Sequence, residues 1–328
     1  MNNSRAIPFD QEIVSSLPGI NNPGMISGEE EKLYYYLACK YFDPSRLNLE
    51  VGTWLGRSTQ RICQGFEKRA SKDNFKLICY DLYQWSESYR KRAIEQAQNY
   101  NRRLDPVKNL QPNQSFREAF LDYMTEFATS IDAYAGKLGD ISTVLSDISF
   151  QKPLGLVFID ASKGWPENVE LLRFLAPKLV SGQQPSLMLF QDFFYFPAYK
   201  LIFLLSMIPQ LQPIIYTKTS TSIVYEVTNA LDTEAPIFKL GSIKSLSEDD
   251  IYEAWKNLNF YIPASRINFL ATNLALPLML WERKFKSAAE KEFSKIKLDN
   301  EQKKFVKSKI LGNDNLSKIK SLKQLLSD

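Results

Sequence analysis

The chain has 328 residues, of which 44% are apolar and 24% are charged, as in ordinary folded globular proteins. Its net charge of +4 is too small to indicate nucleic-acid binding, so we expect no nucleic-acid partner. The absence of histidine excludes a Ser-His-Asp triad, a Cys-His pair and any histidine metal site, which leaves proton transfer to Asp, Glu, Lys, Tyr or Cys.

The first part of the chain predicts an irregular lead-in over residues 1–27, which are rich in Asn, Pro, Gly and Ser. A helix follows, with Ser27 as its cap and three glutamates in its first turn, and it ends at Asp43–Pro44. The next elements are a strand over 46–51, a turn that contains two glycines, and a helix over about 57–68.

Strands and helices alternate through the middle of the chain. Further strands are predicted at 75–82, 131–137, 154–161 and 186–193, with helices in two pieces between 83 and 127 and at 167–179 and 198–208. Residues 213–217 and 222–227 flank a short turn and predict an antiparallel hairpin at one edge. This pattern predicts an α/β fold with a Rossmann-like, mostly parallel seven-stranded sheet that helices cover on both faces.

The pattern changes after about residue 229, and residues 247–328 predict helices throughout. From Arg283 onward, 13 Lys and Arg residues stand against 6 Asp and Glu residues, which is typical of a solvated basic surface. We therefore divide the chain into the lead-in 1–27, a domain over 28–228 and a mostly helical extension over 229–328. The extension is a candidate for a lid or for the contact of a homo-oligomer.

No segment has the pattern of a signal peptide or a membrane span. Residues 1–14 lack an apolar core, and the apolar run 201–208 is much shorter than the roughly 20 residues that span a bilayer. The cysteines have no CxxC spacing and are expected to be buried thiols: Cys39, Cys63 and Cys79. We therefore expect a cytoplasmic protein without a transmembrane segment.

Polar residues or glycines follow each of the first five predicted strands, and ligands of open α/β sheets bind beyond the carboxyl ends of strands. Gly52 and Gly56 in the first turn allow a ligand close to the backbone, and the helix start near Ser58 suits an anionic group. Asp81 ends the second strand, where a carboxylate accepts hydrogen bonds from ribose hydroxyls. The later strands are followed by Asp140, by Asp160 and Lys163, and by Asp192.

The ExGxxxG turn, the acid on the second strand and the terminal hairpin together resemble class I S-adenosylmethionine (SAM)-dependent methyltransferases. The segments PGMIS, LEVGTWLGRST, ICYDLYQW and LVFIDASKGW are similar to small-molecule and sugar O-methyltransferases, including the macrocin O-methyltransferase type. The resemblance covers roughly residues 20–228 and has no counterpart in 229–328. It implies that SAM is bound by Glu50, Gly52, Thr53, Gly56, Ser58, Asp81 and Asp140, with Asp81 at the ribose and Asp140 by the adenine.

The same resemblance implies residues for catalysis and for a metal. In metal-dependent relatives, an acid begins a D-x-x-K segment and an Asp-Asn pair follows the fifth strand. Asp160 and Lys163 match the first motif and Asp192 matches the Asp of the second, whereas Phe193 stands where the Asn would be. Because Mg²⁺ requires several oxygen ligands, its binding at Asp160 and Asp192 is left open. Asp160, Lys163 or Asp192 would take the proton of the acceptor.

The resulting hypothesis is SAM-dependent O-methyl transfer to a small-molecule or glycan acceptor, with Tyr83, Trp85 and Tyr89 as an acceptor wall. The alternative is a SAM-fold protein without catalysis that serves as a binding or scaffold module in a biosynthetic complex. A nicotinamide-dependent oxidoreductase is disfavoured, because the first turn lacks GxGxxG.

Overall fold

The computed structural model describes residues 5–6, 15, 17–26, 28–71, 74–146, 152–161, 164–239, 243–261, 266–310 and 319–327. Its central element is one mixed sheet with the spatial order β1-β7-β8-β6-β5-β2-β3-β4. The strands are β1 (Arg5–Ala6), β2 (Leu47–Val51), β3 (Leu77–Asp81), β4 (Ile131–Ala135), β5 (Leu154–Ile159), β6 (Leu187–Phe190), β7 (Leu211–Tyr216) and β8 (Ile223–Val227). β8 runs antiparallel to both of its neighbours, and the other pairs are parallel.

All seven predicted strands form, and the two-residue β1 adds an eighth from within the predicted lead-in. The antiparallel strand β8 lies inside the sheet, between β6 and β7, and this corrects the expectation that it would lie at an edge. The residues explain the order, because β8 is buried at four of its five positions. β7 instead carries Pro213, which has no N–H to donate, and its register shifts between Pro213 and Ile215.

Helices cover both faces of the sheet. The helix before β2 is α1 (Gly28–Tyr41). The helices between β2 and β7 are α2 (Arg57–Glu67), α3 (Glu87–Tyr100), α4 (Arg117–Tyr123), α5 (Ile141–Val144), α6 (Trp165–Leu175) and α7 (Tyr199–Ser206). Successive side chains of a strand point to opposite faces, so Leu156 and Phe158 join the core under α1 and α2. Val157 and Ile159 join the core under α6 and α7.

The chain after the sheet is helical, with α8 (Pro236–Lys239), α9 (Glu248–Tyr261), α10 (Arg266–Glu282), α11 (Lys286–Phe293), α12 (Asn300–Ile310) and α13 (Lys320–Ser327). Ala275, Met279 and Leu280 of α10 join the same core as α7, so the extension packs on one face of the sheet. Ser27, the predicted cap of α1, lies outside the described residues. In the described ranges no helix combines the length and the apolar character of a membrane span.

Candidate cofactor-binding site

The turn between β2 and α2 has a backbone that only glycine accommodates at two positions. Gly52 has a φ of 90° and Gly56 a φ of 85°. The N–H of Gly52 donates to the carbonyl of Tyr80 at 2.8 Å, and a Cβ at Gly52 would lie 2.5 Å from the carbonyl oxygen of Asp160. A Cβ at Gly56 would lie 2.8 Å from the sulfur of Met124. Gly52 therefore lets the turn pack tightly against the two neighbouring strands, and Gly56 lets it pack against the C-terminal end of α4.

Asp81, the last residue of β3, faces this turn. Its Oδ2 atom accepts hydrogen bonds from the backbone N–H groups of Thr53 at 2.7 Å and Trp54 at 3.0 Å. Its Oδ1 atom accepts from the N–H of Tyr83 at 2.8 Å. The structure thus brings the glycine turn and the carboxylate of the adjacent strand to the same edge of the sheet, at the carboxyl ends of β2 and β3.

A small cleft of about 50 Å³ lies at this edge. Its lining contains five residues predicted for the site and six others, and these are Gly52, Thr53, Ser58, Asp81 and Asp160, with Gly24, Met25, Ile26, Trp54, Arg57 and Tyr89. Asp140 is exposed and Asp192 is half-buried, and the lining includes neither. Lys163 lies outside the described residues. The structure therefore brings together the residues predicted after the first, second and fourth strands of the sequence pattern.

Glu50 lies beneath the turn and is 1% exposed. Its Oε2 atom accepts a hydrogen bond from the hydroxyl of Thr59 at 2.6 Å. Its Oε1 atom is buried and finds no hydrogen-bond partner among the described residues. Burial raises the pKa of Glu50 to about 7, although hydrogen bonds from the Ser58 and Thr59 hydroxyls oppose the shift. A buried carboxyl with one unused oxygen is suited to receive a donor or a cation.

Tyr34 of α1 is a site neighbour that the sequence did not single out. Its hydroxyl donates to the side-chain oxygen of Gln191 at 3.3 Å, and its ring stacks on Phe158 with 5.2 Å between centroids. Burial raises the pKa of Tyr34 well above its usual value, and the negative charge of Asp160, among other carboxylates, acts in the same direction. The phenol therefore stays protonated and serves as a donor.

The glutamates at the start of α1 act mainly through tertiary contacts. Glu31 accepts hydrogen bonds from Arg57 at 2.9 Å and from Arg61 at 2.6 Å, and both guanidinium groups belong to α2. Glu30 accepts a hydrogen bond from the hydroxyl of Ser222 at 2.8 Å, and Glu29 accepts one from the N–H of Thr219 at 2.6 Å. Beyond their predicted effect on the helix terminus, these carboxylates fix α1 to α2 and to the β7–β8 turn.

The predicted aromatic acceptor wall divides into two parts. Tyr83 and Trp85 are each 1% exposed, and Tyr83 packs edge-on against Phe116 with 5.3 Å between centroids. These two side chains are core residues, which corrects the expectation that they contact an acceptor. Tyr89 lines the cleft and packs against Trp54 with 5.8 Å between ring centroids. Periodic spacing alone could not separate the two roles, because all three residues lie near one another in sequence.

A Mg²⁺ ion takes several oxygen ligands, and the position of one predicted ligand is occupied by an apolar side chain. Phe193, at the position of the Asn ligand in metal-dependent relatives, is fully buried and packs against Phe194 and Tyr225. Within the described ranges, no group of three or more Cys, Asp or Glu side chains is arranged to hold a metal ion. Asp160 and Asp192 stay candidate Mg²⁺ ligands, and Phe193 does not add a third oxygen to them.

A glycine turn facing an acid across two parallel strands is the arrangement of a Rossmann-like, nucleoside-binding protein. Residues 49–192 match a family model described as a methyltransferase domain. The match covers less than half of the chain, and it shows that residues 49–192 are similar to a methyltransferase domain. Comparison with curated proteins gives no match.

Two solved structures are similar to the chain. Cofactor-bound Rv0187 from MTB is 17% identical, over 66% of this chain and 85% of that chain, with a TM-score of 0.42. CalS11 in its apo form, described as a TDP-rhamnose 3'-O-methyltransferase of calicheamicin biosynthesis, is 9% identical over 61% of this chain and 78% of that chain, with a TM-score of 0.42. At these identities and scores, the resemblance carries no argument about the acceptor.

Proposed function

We propose that the chain transfers a methyl group from SAM to an oxygen atom of a small-molecule or sugar acceptor. The observation that carries the proposal is the meeting of Asp81 with the turn N–H groups of Thr53 and Trp54 at one cleft. The methyltransferase match over residues 49–192 supports the reaction class. The choice of oxygen as the accepting atom follows from the sequence resemblance to small-molecule and sugar O-methyltransferases.

The chemistry of the cleft fits an adenosyl cofactor. The missing Cβ of Gly52 leaves the turn backbone open to a close ligand, and the Asp81 carboxylate can accept hydrogen bonds from ribose hydroxyls. The unused oxygen of Glu50 suits the positively charged methionine end, with Gly56 and Ser58 beside it. Asp140 would border the adenine from the loop after β4. When bound, SAM supplies the electrophilic methyl group.

The remaining requirement is to align the acceptor and to remove its proton. Asp160 lines the cleft, and the negative charges of Asp160 and Asp192 both raise the pKa of Tyr34, which supports a role for the two carboxylates at the carboxyl edge. We assign the general base to Asp160 or Asp192, with Lys163 as the third candidate. Tyr34 would keep Gln191 and the nearby edge of β6 in position through its hydrogen bond.

Calorimetry with SAM, S-adenosylhomocysteine and NAD tests the cofactor. We expect SAM and S-adenosylhomocysteine to bind and NAD not to bind. Tight NAD binding without a response to SAM would reject the proposal in favour of an oxidoreductase.

Labelled SAM offered with a panel of sugar and phenolic acceptors tests catalysis. We expect transfer to a member of this panel, and a loss of about 100-fold or more in Asp160→Asn or Asp192→Ala with SAM binding retained. Asp122→Asn is the matched control, because Asp122 forms an exposed ion pair with Arg103 on the surface. Intact SAM binding with no transfer to any acceptor would instead favour the scaffold alternative.

The proposal also includes the location and the oligomeric state of the protein. A small-molecule or glycan acceptor agrees with the expected cytoplasmic location, and the helices α9–α13 remain the candidate contact of a homo-oligomer. Light scattering of the full chain and of Phe305→Ser measures the oligomer, because the side chain of Phe305 is a large apolar group that is 42% exposed.

A further inference from the structure

Residues 18–26, here called the strap, precede α1 and make hydrogen bonds with residues of α2 and of the end of α3. Ile20, Asn22, Pro23 and Gly24 are buried, although the segment has no regular secondary structure. A buried irregular segment requires partners for its backbone polar groups. The partners of the strap come from long side chains that reach out from α2 and from the region of α3.

Side chains of α2 hold the first part of the strap through its carbonyl oxygens. Arg61 donates to the carbonyl of Pro18 at 2.6 Å, and Gln64 donates to that of Gly19 at 3.4 Å. Arg57 donates to the carbonyl of Asn22 at 3.3 Å. Since Glu31 binds both Arg57 and Arg61, the two guanidinium groups that hold the strap are themselves fixed in place.

Residues of α3 and of the segment directly after it bind the remaining backbone groups of the strap. Arg102 donates to the carbonyl of Ile20, and the backbone N–H of Arg103 donates to the carbonyl of Asn21 at 3.1 Å. Gln96 makes a pair of hydrogen bonds with Gly24, accepting from its N–H at 2.8 Å and donating to its carbonyl. The amide side chain of Gln96 thus binds Gly24 as a neighbouring β-strand would.

Gly24 is where the strap lies closest to α2. A Cβ at this position would lie 2.1 to 2.6 Å from the aliphatic carbons of Arg57, far inside van der Waals contact. Gly19 differs, because a Cβ there would meet no atom within 4 Å. An added methyl group should therefore disturb the docked strap at Gly24 and not at Gly19, so Gly19 serves as the control.

The end of the strap forms one wall of the cofactor cleft. Gly24, Met25 and Ile26 line the cleft together with Gly52 and Asp81. With the strap in this place the cleft measures about 50 Å³, whereas sites for cofactors and other small ligands measure about 300–1,000 Å³. The docked strap therefore leaves too little room for an adenosyl cofactor.

We propose that the strap is a gate on the cofactor site, which must leave its docked position before SAM can enter. This inference rests on the proposed function. The docked and released strap are two states, and only the released state takes up the cofactor. The apparent affinity and the association rate are then reduced by the fraction of molecules in which the strap is docked.

Stopped-flow measurement of SAM binding tests the gate, with the fluorescence of Trp54 at the cleft as its signal. Gly24→Ala loosens the strap by a clash, and Gln96→Ala loosens it by removing two hydrogen bonds. We expect both variants to raise the association rate by about threefold or more and to leave the dissociation rate unchanged, because they raise the fraction of molecules in which the strap is released. Gly19→Ala and Gln98→Ala, an exposed residue of the same helix, are the controls and should leave both rates unchanged.

The outcomes separate this inference from the proposed function. SAM binding with equal rates in the wild type, the loosened variants and the controls would overturn the gate and leave the methyltransferase proposal intact. A lower association rate in Gln96→Ala would likewise overturn it. Failure of every form of the chain to bind SAM would overturn the proposed function and the gate with it. Should Gly24→Ala not fold, Gln96→Ala alone decides, because it adds no atoms.

Discussion

The carboxylate of Asp81 accepts a hydrogen bond from the backbone N–H of Thr53 at 2.7 Å, so the end of one strand holds the turn that follows its neighbour. The same oxygen accepts from the N–H of Trp54, a residue whose φ of 41° is unusual for a side chain of its size. Asp81 therefore stabilises a strained turn in addition to its proposed role toward the ribose. The Asp81 side chain thus both holds the turn in its conformation and is the proposed ligand of the ribose.

Replacement of Asp81 should reveal both roles at once. We expect Asp81→Asn to lower SAM affinity by about tenfold or more, and to lower the free energy of unfolding by about 1–3 kcal/mol, because one acceptor oxygen becomes a donor that faces N–H groups. Calorimetry and urea denaturation measure the two effects. Asp132→Asn is the control, because Asp132 lies on the adjacent β4 in an exposed pair with Lys76. Unchanged SAM affinity in Asp81→Asn would contradict the ribose assignment.

The buried carboxyl of Glu50 predicts an unusual dependence of stability on pH. Its pKa is about 7 in the folded chain, against an ordinary value of 4.5. The folded state therefore holds an additional proton between these values, and the stabilisation is complete below pH 4.5 and is lost as the pH rises through 7. Glu50→Gln keeps the shape without this titration.

The measurement for Glu50 is the difference in unfolding free energy between the wild type and Glu50→Gln at several pH values. We expect the wild type to lose up to about 3 kcal/mol relative to the variant between pH 4.5 and pH 8. Glu118→Gln, whose carboxylate is 85% exposed, should show no such trend. A difference that stays flat across this range would show that Glu50 titrates normally.

Gly52 should tolerate no side chain. Two effects destabilise Gly52→Ala. The φ of 90° is unfavourable for alanine, and the added Cβ would lie 2.5 Å from the carbonyl oxygen of Asp160. We expect the free energy of unfolding to fall by about 2 kcal/mol or more, with loss of measurable SAM binding. Gly139→Ala is the matched control, since a Cβ at Gly139 meets nothing within 4 Å. Equal stability of the two variants would contradict the tight contact between the turn and β5.

The sequence was sufficient to predict the seven long strands, because each is an apolar run bounded by turn residues or by the start of a helix. It also predicted that Gly52 and Asp81 meet, because parallel neighbouring strands end at the same edge. The two-residue β1 has too few residues to show a period. Tyr83 and Trp85 could not be separated from Tyr89, since burial depends on the packing of α4, which lies more than 25 residues further along the chain.

The strap could not have been predicted from its own residues. Most of its hydrogen bonds are made by backbone carbonyl oxygens, which every residue possesses, and the donors to these oxygens lie 35 to 82 positions away. The tertiary contacts of Glu31 could not be predicted from the local sequence either. Three consecutive glutamates at the start of a helix fit its positive terminus, and nothing local indicates that Glu31 binds two arginines of the next helix.

The pairing of Glu31 with Arg57 and Arg61 should be one of the most sensitive points of the fold. The carboxylate is largely buried, with 9% of its side chain exposed, and the Glu31→Gln change leaves two guanidinium groups without their anion. We expect a loss of about 3–5 kcal/mol in unfolding free energy, measured by urea denaturation. The exposed Glu118→Gln change at the Arg117 pair should cost less than about 1 kcal/mol. Similar losses in the two variants would contradict this account.

Removal of divalent metal ions should leave activity nearly unchanged. Phe193, a buried ring, stands at the position of the Asn ligand in metal-dependent relatives, so the pair of Asp160 and Asp192 lacks that ligand and should hold Mg²⁺ weakly. Methyl transfer in the presence of EDTA, compared with the same reaction in added Mg²⁺, provides the measurement once an acceptor is known. A complete loss of transfer in EDTA that Mg²⁺ reverses would show this prediction to be wrong. In that case, Asp160→Asn and Asp192→Asn should both raise the Mg²⁺ concentration needed for half-maximal activity, whereas Asp122→Asn should not.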